Sequence, residues 1–267
     1  MLRKAFAIAA VLGLAATAQA SFAATTEATP KDVHWSFEGP LGRFDQEQLQ
    51  RGYKVYHDVC SSCHAMHLMS YRNLGQPGGP FYDPKYPNPN DNPYVKSIVA
   101  DYKVPDIDSD TGDVIKRPAT PADAFVSPFP NEAAARASNG GALPPDLSLV
   151  VKAREGGAHY VYSFLTGFHE KPPAGFTVMT GKYFNPYFEG WNVSMPNTAL
   201  VANAVTYSDG TQATIDQEAH DVATFLAWAS DPKMEERKQM GFGVLIFLVV
   251  LAGLLFAAYR KVWKDAH

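Results

Sequence analysis

Where apolar positions in this 267-residue chain are periodic, they recur at three- and four-residue steps, the spacing of one helix face. Leu49, Tyr53, Tyr56, Cys60 and Cys63 share such a face. Asp45 stands where an N-cap belongs and Gln48 is its reciprocal partner, so a helix is predicted over residues 44–67. A weaker helical stretch covers residues 131–138. Leu147, Val150, Val151 and Arg154 line another face over residues 146–155 until Gly156 and Gly157 stop it, and a short helix over 160–166 ends at Gly167. Thr214 and Gln217 form a capping box ahead of a helix whose buried stripe is Ile215, Ala219, Val222, Leu226 and Ala229. Asp231 and Pro232 have the character of an N-cap and a first helical position, from which the next helix runs on into an apolar stretch.

The remainder reads as irregular. Residues 76–93 carry six prolines in eighteen positions; proline fixes φ and lacks a backbone donor, so neither helix nor central strand persists there. Residues 101–145 are likewise broken by Pro and Gly, and residues 171–212 are loop-like and rich in aromatics such as Phe176, Tyr183, Phe184 and Trp191. Loops this long imply wrapping about something other than a sheet. The predicted class is mainly α with long irregular loops, without repeats.

The two ends depart from this pattern. Arg3 and Lys4 precede an apolar run over residues 5–18, and Ala18-Gln19-Ala20 offers a small-residue cleavage site, with a second after Ala23-Ala24. This is the pattern of a secretory signal, assigned to residues 1–24 with cleavage near 20–24, and it directs the mature chain to an oxidising compartment. The 19 residues 241–259 carry no charge, long enough as a helix to cross about 30 Å of hydrocarbon. Arg260, Lys261, Trp263 and Lys264 supply the basic and aromatic boundary expected on the cytoplasmic side. The expected organisation is an exported domain over 25–239, a transmembrane helix over 240–260 and a cytoplasmic tail over 261–267. Residues 21–239 hold 18 Lys and Arg against 26 Asp and Glu, a formal charge of −8. Such a surface repels nucleic acid and attracts a basic partner. Its densest acidic stretch, Asp101 to Asp113, reads as a solvated loop.

Both cysteines of the chain lie in "CSSCH", residues 60–64. On a helix Cys60 and Cys63 point the same way and His64 follows one turn after Cys60. That spacing lets two sulfurs form thioethers to the two vinyl groups of one haem, with the imidazole beneath the iron, and C-x-x-C-H is read as c-type haem attachment. A zinc site needs about four ligands, and the sequence has no second Cys pair. A thioredoxin-like pair would follow a strand, and a disulfide across two residues closes too small a loop to stabilise much. A covalently fixed porphyrin also accounts for the loops, which would fold around it. For the opposite axial position, Met66 and Met69 are too close to His64 and Met234 and Met240 belong to the membrane approach; Met179, Met195, His159, His169 and His220 remain. Met195, in "GWNVSMPN", is kept extended by Pro196. His57, His67, His169 and His220 read more readily as solvated or supporting groups.

A series of segments in order carries a family likeness: "WSFEGPLGRFDQEQLQRGYKVYHDVCSSCH", "ALPPDLS", "KAREGGAHYVYSFLTGF", "GKYFNPYFEG", "SMP" around Met195, and the run from "VTYSDGTQATIDQEAHDVATFLAWASDP" to the C-terminal span. Together they resemble the cytochrome c1 family, the membrane-anchored haem subunit of cytochrome bc1 complexes, in a bacterial form, over nearly the whole mature chain. The resemblance implies that Cys60 and Cys63 are the thioether cysteines of one haem c, and that His64 and Met195 are its proximal and distal iron ligands. It also implies that Arg154 and Tyr160 contact a haem propionate; a guanidinium offers a fixed fork of donors to a carboxylate. By the same likeness the subunit relays single electrons from a Rieske iron–sulfur protein to a basic cytochrome c. Quinol oxidation is then left to partners that include cytochrome b, within a dimeric ubiquinol–cytochrome c oxidoreductase. The haem domain would lie in the periplasm of a single-pass inner-membrane protein. His/Met ligation raises the potential, and six-coordinate iron leaves no position for substrate, so no catalytic residue is expected in this chain. Two departures stand out: related bacterial proteins often carry a second cysteine pair as a disulfide near the distal loop, absent here, and Asn197 stands where several relatives have further proline. Two other classes share the main features. A free-standing membrane-tethered c-type shuttle would purify without haem b, and a haem enzyme such as a peroxidase would bind carbon monoxide or cyanide readily.

Overall fold

The computed structural model describes residues 27–264, so the signal segment assigned to residues 1–24 lies outside the described residues. In chain order the helices are α1 (Gln46–Asp58), α2 (Pro93–Val99), α3 (Glu132–Ser138), α4 (Val150–Ala153), α5 (Gly157–Gly167), α6 (Ile215–Ser230) and α7 (Met234–Val262). The strands are β1 (Lys103–Ile107), β2 (Val114–Pro118), β3 (Tyr183–Phe184) and β4 (Asn192–Val193), in two separate antiparallel pairs. The class is mainly α with long loops, as the patterning predicts.

The core is built on α6. Asp45 caps α1 by accepting the Gln48 N–H at 3.0 Å, and α1 then buries Leu49, Gly52, Tyr53, Val55 and Tyr56. At Gly52 α1 crosses α6 closely: a Cβ there would lie 2.1 Å from the Asp221 carbonyl oxygen and 2.7 Å from Phe225 Cβ. Helices α4 and α5 also pack on α6, and burial extends well beyond the predicted stripe to Ala223, Phe225 and Trp228 and to the polar Glu218, Asp221 and Thr224. Asp221 is tolerated there because Arg51 Nε reaches its carboxylate at 3.1 Å and Gln217 donates to it at 2.9 Å.

Several predicted boundaries are corrected. The helix expected over 44–67 stops at Asp58 and passes into a tighter three-residue turn, Cys60–Ser62. Ser61 Oγ donates to the His57 carbonyl at 2.6 Å and Ser62 Oγ to the Val59 carbonyl at 2.8 Å, a local competition that ends regular helix. Of the helix expected over 146–155 only the four residues of α4 form, because the Asp146 carboxylate caps its own chain at Ser148 and Arg154 is already extended. Gly156 and Gly157 are a start rather than a stop: Gly156, at φ 82°, is the N-cap of α5. Asp231 closes α6 instead of opening α7, whose N-cap is Lys233, and its carboxylate pairs with Arg237 at 2.7 Å and Lys152 at 3.3 Å.

The loop expected over 101–145 contains the β1–β2 hairpin, in register from Lys103 opposite Pro118 to Ile107 opposite Val114. Arg117 ties it down with two bonds of 2.7 Å to Asp123 and one of 2.8 Å to Asp106, while Asp108 accepts the N–H groups of Asp110 and Thr111 in the turn. Part of the acidic stretch is therefore turn-building.

Helix α7 runs for 29 residues, with a mean hydropathy of 2.7 over its most apolar 18-residue window and none of that window buried. It spans about 43 Å at 1.5 Å per residue, and is long and apolar enough to cross a membrane. Its first turns are moored to the rest of the protein: Lys238 Nζ donates to the carbonyls of Phe37 and Gly42 at 2.7 and 3.0 Å, and Glu235 accepts the Phe44 N–H at 2.8 Å.

Candidate functional site

The tight turn after α1 carries the two thiols. The Cys60 carbonyl accepts both the Cys63 N–H at 3.1 Å and the His64 N–H at 2.9 Å, so the three residues occupy a single turn although regular helix has ended. Cys60 is half-buried against the core, Cys63 is exposed, and neither is in a disulfide. Burial, reinforced by neighbouring Cys63, pushes the Cys60 thiol up to about 12. Reactive redox pairs have the opposite character, a depressed thiol at a helix N-terminus. The pair here follows the C-terminal end of α1, where the helix dipole disfavours a thiolate.

His64 is oriented by a backbone acceptor. Its Nδ1 lies 2.8 Å from the Pro145 carbonyl oxygen. A carbonyl only accepts, so Nδ1 carries the proton and Nε2 keeps its lone pair. Burial lowers the imidazole's pKa, with the Pro145 bond and nearby Asp146 opposing, and favours the neutral form. The Pro145 segment is laced onto the chain that follows His64: Leu147 N–H donates to the Ala65 carbonyl at 2.9 Å, His67 N–H to Asp146 at 2.8 Å and Leu68 N–H to Ser148 Oγ at 3.0 Å. Periodicity and spacing give no role to Pro145, Asp146 or Ser148; the Pro144-Pro145 pair, which fixes φ next to an Asp and a Ser, is the signal the sequence offers.

Beside Pro145 opens a cleft of about 540 Å³ lined by Leu68, Leu149, Val150, Ala153 and Arg154, among others. Leu68 and Leu149 leave 68% and 45% of their surface exposed, an apolar mouth that a flat apolar group would cover. Arg154 and Tyr160 are brought together, the guanidinium carbon 5.8 Å from the ring centroid. Arg154 forms no ion pair among the described residues, which leaves its donors free for an external carboxylate. Burial raises the Tyr160 hydroxyl's pKa and Arg154 opposes the shift.

Met195 is carried by a third segment. The β3–β4 pair sets Tyr183 opposite Val193 and Phe184 opposite Asn192, and Met195 follows two residues later, half-buried against the core. The other axial candidates are placed differently. Met179 is 62% exposed and His169 is exposed. Both ring nitrogens of His159 are engaged, Nδ1 by the Val33 N–H at 3.2 Å and Nε2 by Glu38 at 2.9 Å. His220 is stacked on Trp35 at 4.5 Å, with Nδ1 2.6 Å from Gln48 Nε2 and Nε2 3.3 Å from the His34 carbonyl. Met66 and Met69 are core residues. Among the described residues no three His, Cys, Asp or Glu side chains converge as metal ligands.

The donor set fits a c-type haem: two adjacent unbridged thiols, a neutral imidazole presenting Nε2, an apolar cleft and an unpaired guanidinium at its edge. Comparison with known proteins agrees. A sequence model of the Cytochrome C1 family matches residues 35–266. The chain belongs to the cytochrome c1 family. Cytochrome c1 of Rhodospirillum rubrum is 44% identical over 246 residues, 86% of each chain. Cytochrome c1-2, heme protein, mitochondrial, of Solanum tuberosum is 43% identical over 254 residues, 95% of this chain and 92% of the relative. The cytochrome b/c1 protein of Bradyrhizobium diazoefficiens is 46% identical over 256 residues, 89% of this chain but 36% of that longer protein. Cytochrome c1 is the haem-containing electron-transfer subunit of the bc1 complex.

Proposed function

We propose that this chain holds one haem c through thioethers at Cys60 and Cys63, with His64 and Met195 as its iron ligands, and relays single electrons within a quinol–cytochrome c oxidoreductase. The observation that carries the reading is the 2.8 Å bond from His64 Nδ1 to the Pro145 carbonyl. It selects the tautomer and ring orientation that a ligating imidazole needs, within one turn of both thiols. When bound, the haem supplies one-electron exchange. The chain's own residues would hold it: Cys60 and Cys63 would attach it, His64 Nε2 and the Met195 thioether would ligate its iron, Leu68 and Leu149 would cover it, and Arg154 and Tyr160 would meet a propionate.

The donor in this reading is a Rieske iron–sulfur protein and the acceptor a basic cytochrome c, with cytochrome b as the quinol-oxidising neighbour in a dimeric complex. The family assignment and the net charge of −8 over residues 21–239 support it. Helix α7 anchors the chain, with the haem domain in the periplasm and the C-terminus in the cytoplasm. Gentle solubilisation and purification test the assembly: b-type haem and an iron–sulfur protein are expected in stoichiometric amounts. A pure c-type haem protein that never carries them, even from cross-linked membranes, would favour a free-standing shuttle.

A further inference from the structure

The loop that carries Met195 lacks a covalent brace, since both cysteines lie at positions 60 and 63. Its ladder, β3 with β4, has only two residue pairs, too few to hold a hairpin by themselves. The far end of the hairpin is well anchored: buried Asn185 donates to the Phe164 carbonyl of α5 at 2.7 Å and accepts the Tyr187 N–H at 3.0 Å. The open end, next to Met195, is closed by a side-chain tie. The Lys182 ammonium donates to Ser194 Oγ at 2.5 Å, from a half-buried position. With Tyr183 opposite Val193, Lys182 and Ser194 are the next facing pair, so this bond adds a third rung directly before Met195. Around it the turn is tightened by Lys182 N–H to the Met179 carbonyl at 3.0 Å and Met179 N–H to Asn192 Oδ1 at 2.9 Å.

We propose that Lys182 and Ser194 are positioning residues for the Met195 thioether, a non-covalent staple that keeps it on the iron. The ammonium also places a fixed positive charge beside the axial ligand. The inference rests on the reading of Met195 as the distal ligand. Met195 is then gripped from both sides, by the charge-assisted rung at Ser194 and by the fixed φ of Pro196. Loss of the rung raises the population in which the thioether is off the iron. A cation next to the ligand disfavours the more positive ferric iron, so its removal lowers the potential.

The test uses the purified haem-loaded complex in four variants: Lys182→Met, Ser194→Ala, Lys182→Arg and Met195→Leu. The readouts are imidazole titration of the ferric form, the near-infrared thioether-to-iron band and the midpoint potential. An external ligand's apparent affinity rises with the fraction of competent, thioether-off protein, so loss of the rung should tighten imidazole binding about fivefold in Lys182→Met and Ser194→Ala. Lys182→Arg, which keeps donor and charge, should restore near-native affinity. The potential should fall further in Lys182→Met than in Ser194→Ala, because only the first removes the charge. Ser194→Ala removes one hydroxyl, so it keeps the question answerable if Lys182→Met assembles poorly. Unchanged imidazole affinity in both, alongside a lost band in Met195→Leu, would overturn the staple. A band that survives in Met195→Leu would instead overturn the ligand assignment itself.

Discussion

At the scale of single residues the site depends on backbone acceptors and short polar side chains as much as on its ligands. Asp146 is the clearest case. Burial alone would raise its carboxyl, but the N–H groups of His67 and Ser148 and the His67 ring hold it below its ordinary 3.8. A carboxyl with a depressed folded pKa contributes stability that is complete above its unfolded value and is lost as the pH falls through the folded one. Thermal stability should therefore be level across neutral pH as far as this group is concerned, and its share should disappear below about pH 4. Asp146→Asn should cost about 1 kcal/mol at pH 7, kept small by partial exposure, with the gap narrowing in acid. Melting curves of the two proteins at pH 7 and pH 3 check this, and a constant gap would remove the charge from the argument. That Cys60, Cys63 and His64 share one turn was legible in the sequence, because the C-x-x-C-H spacing alone brings them together. Their support was not. The acceptor that orients His64 is the main-chain oxygen of Pro145, 81 residues away, and a carbonyl has no letter of its own. The Lys182–Ser194 rung needs the β3–β4 register, which two aromatic-rich stretches do not reveal.

At the scale of elements, the faces and two N-caps, Asp45 and Thr214, were legible, and most of the other ends were not. Leu49, Tyr53 and Tyr56 on α1, and Ala219, Val222, Leu226 and Ala229 on α6, are buried as their periodicity predicts. Helix ends instead depend on side chains that compete for terminal carbonyls, as Ser61 and Ser62 do after α1. The buried polar positions of α6 were hidden for another reason: Arg51, which compensates Asp221, is 170 residues away in sequence. The α1–α6 crossing yields a direct prediction. Because a side chain at Gly52 would overlap the Asp221 carbonyl, Gly52→Val should force the helices apart at a cost of about 3 kcal/mol. That corresponds to a fall in melting temperature of roughly 6–12 °C for a protein of this size. A melt within 1–2 °C of the parent would mean that the crossing is looser than the structure shows.

At the scale of the whole molecule, α1, α4 and α5 pack on α6 as one helical body, and by the proposed reading Leu68, Leu149 and Arg154 beside it wall the cofactor while the loop after β4 supplies its distal ligand. Helix α7 continues from that body, tied to it by Lys238 and Glu235, so the haem domain and the anchor would move together rather than through a free linker. The domain's charge of −8 predicts the kinetics with the proposed partner. The association rate with a basic cytochrome c should fall steeply as ionic strength rises from 0.01 to 0.15 M, over which the screening length shrinks from about 30 to 8 Å. Stopped-flow reduction at several salt concentrations measures it; a salt-independent rate would argue that the acceptor is not recognised through charge.

By the proposed reading, a porphyrin is bonded to this chain at one turn. The most direct measurement is the absorption spectrum and intact mass of the exported protein after full denaturation and organic extraction, for the parent and for Cys60→Ala/Cys63→Ala. The parent should retain one iron porphyrin with a thioether-type reduced pyridine spectrum, and the double variant none. A parent chain that emerges with two free thiols and the mass of the bare polypeptide would contradict the account.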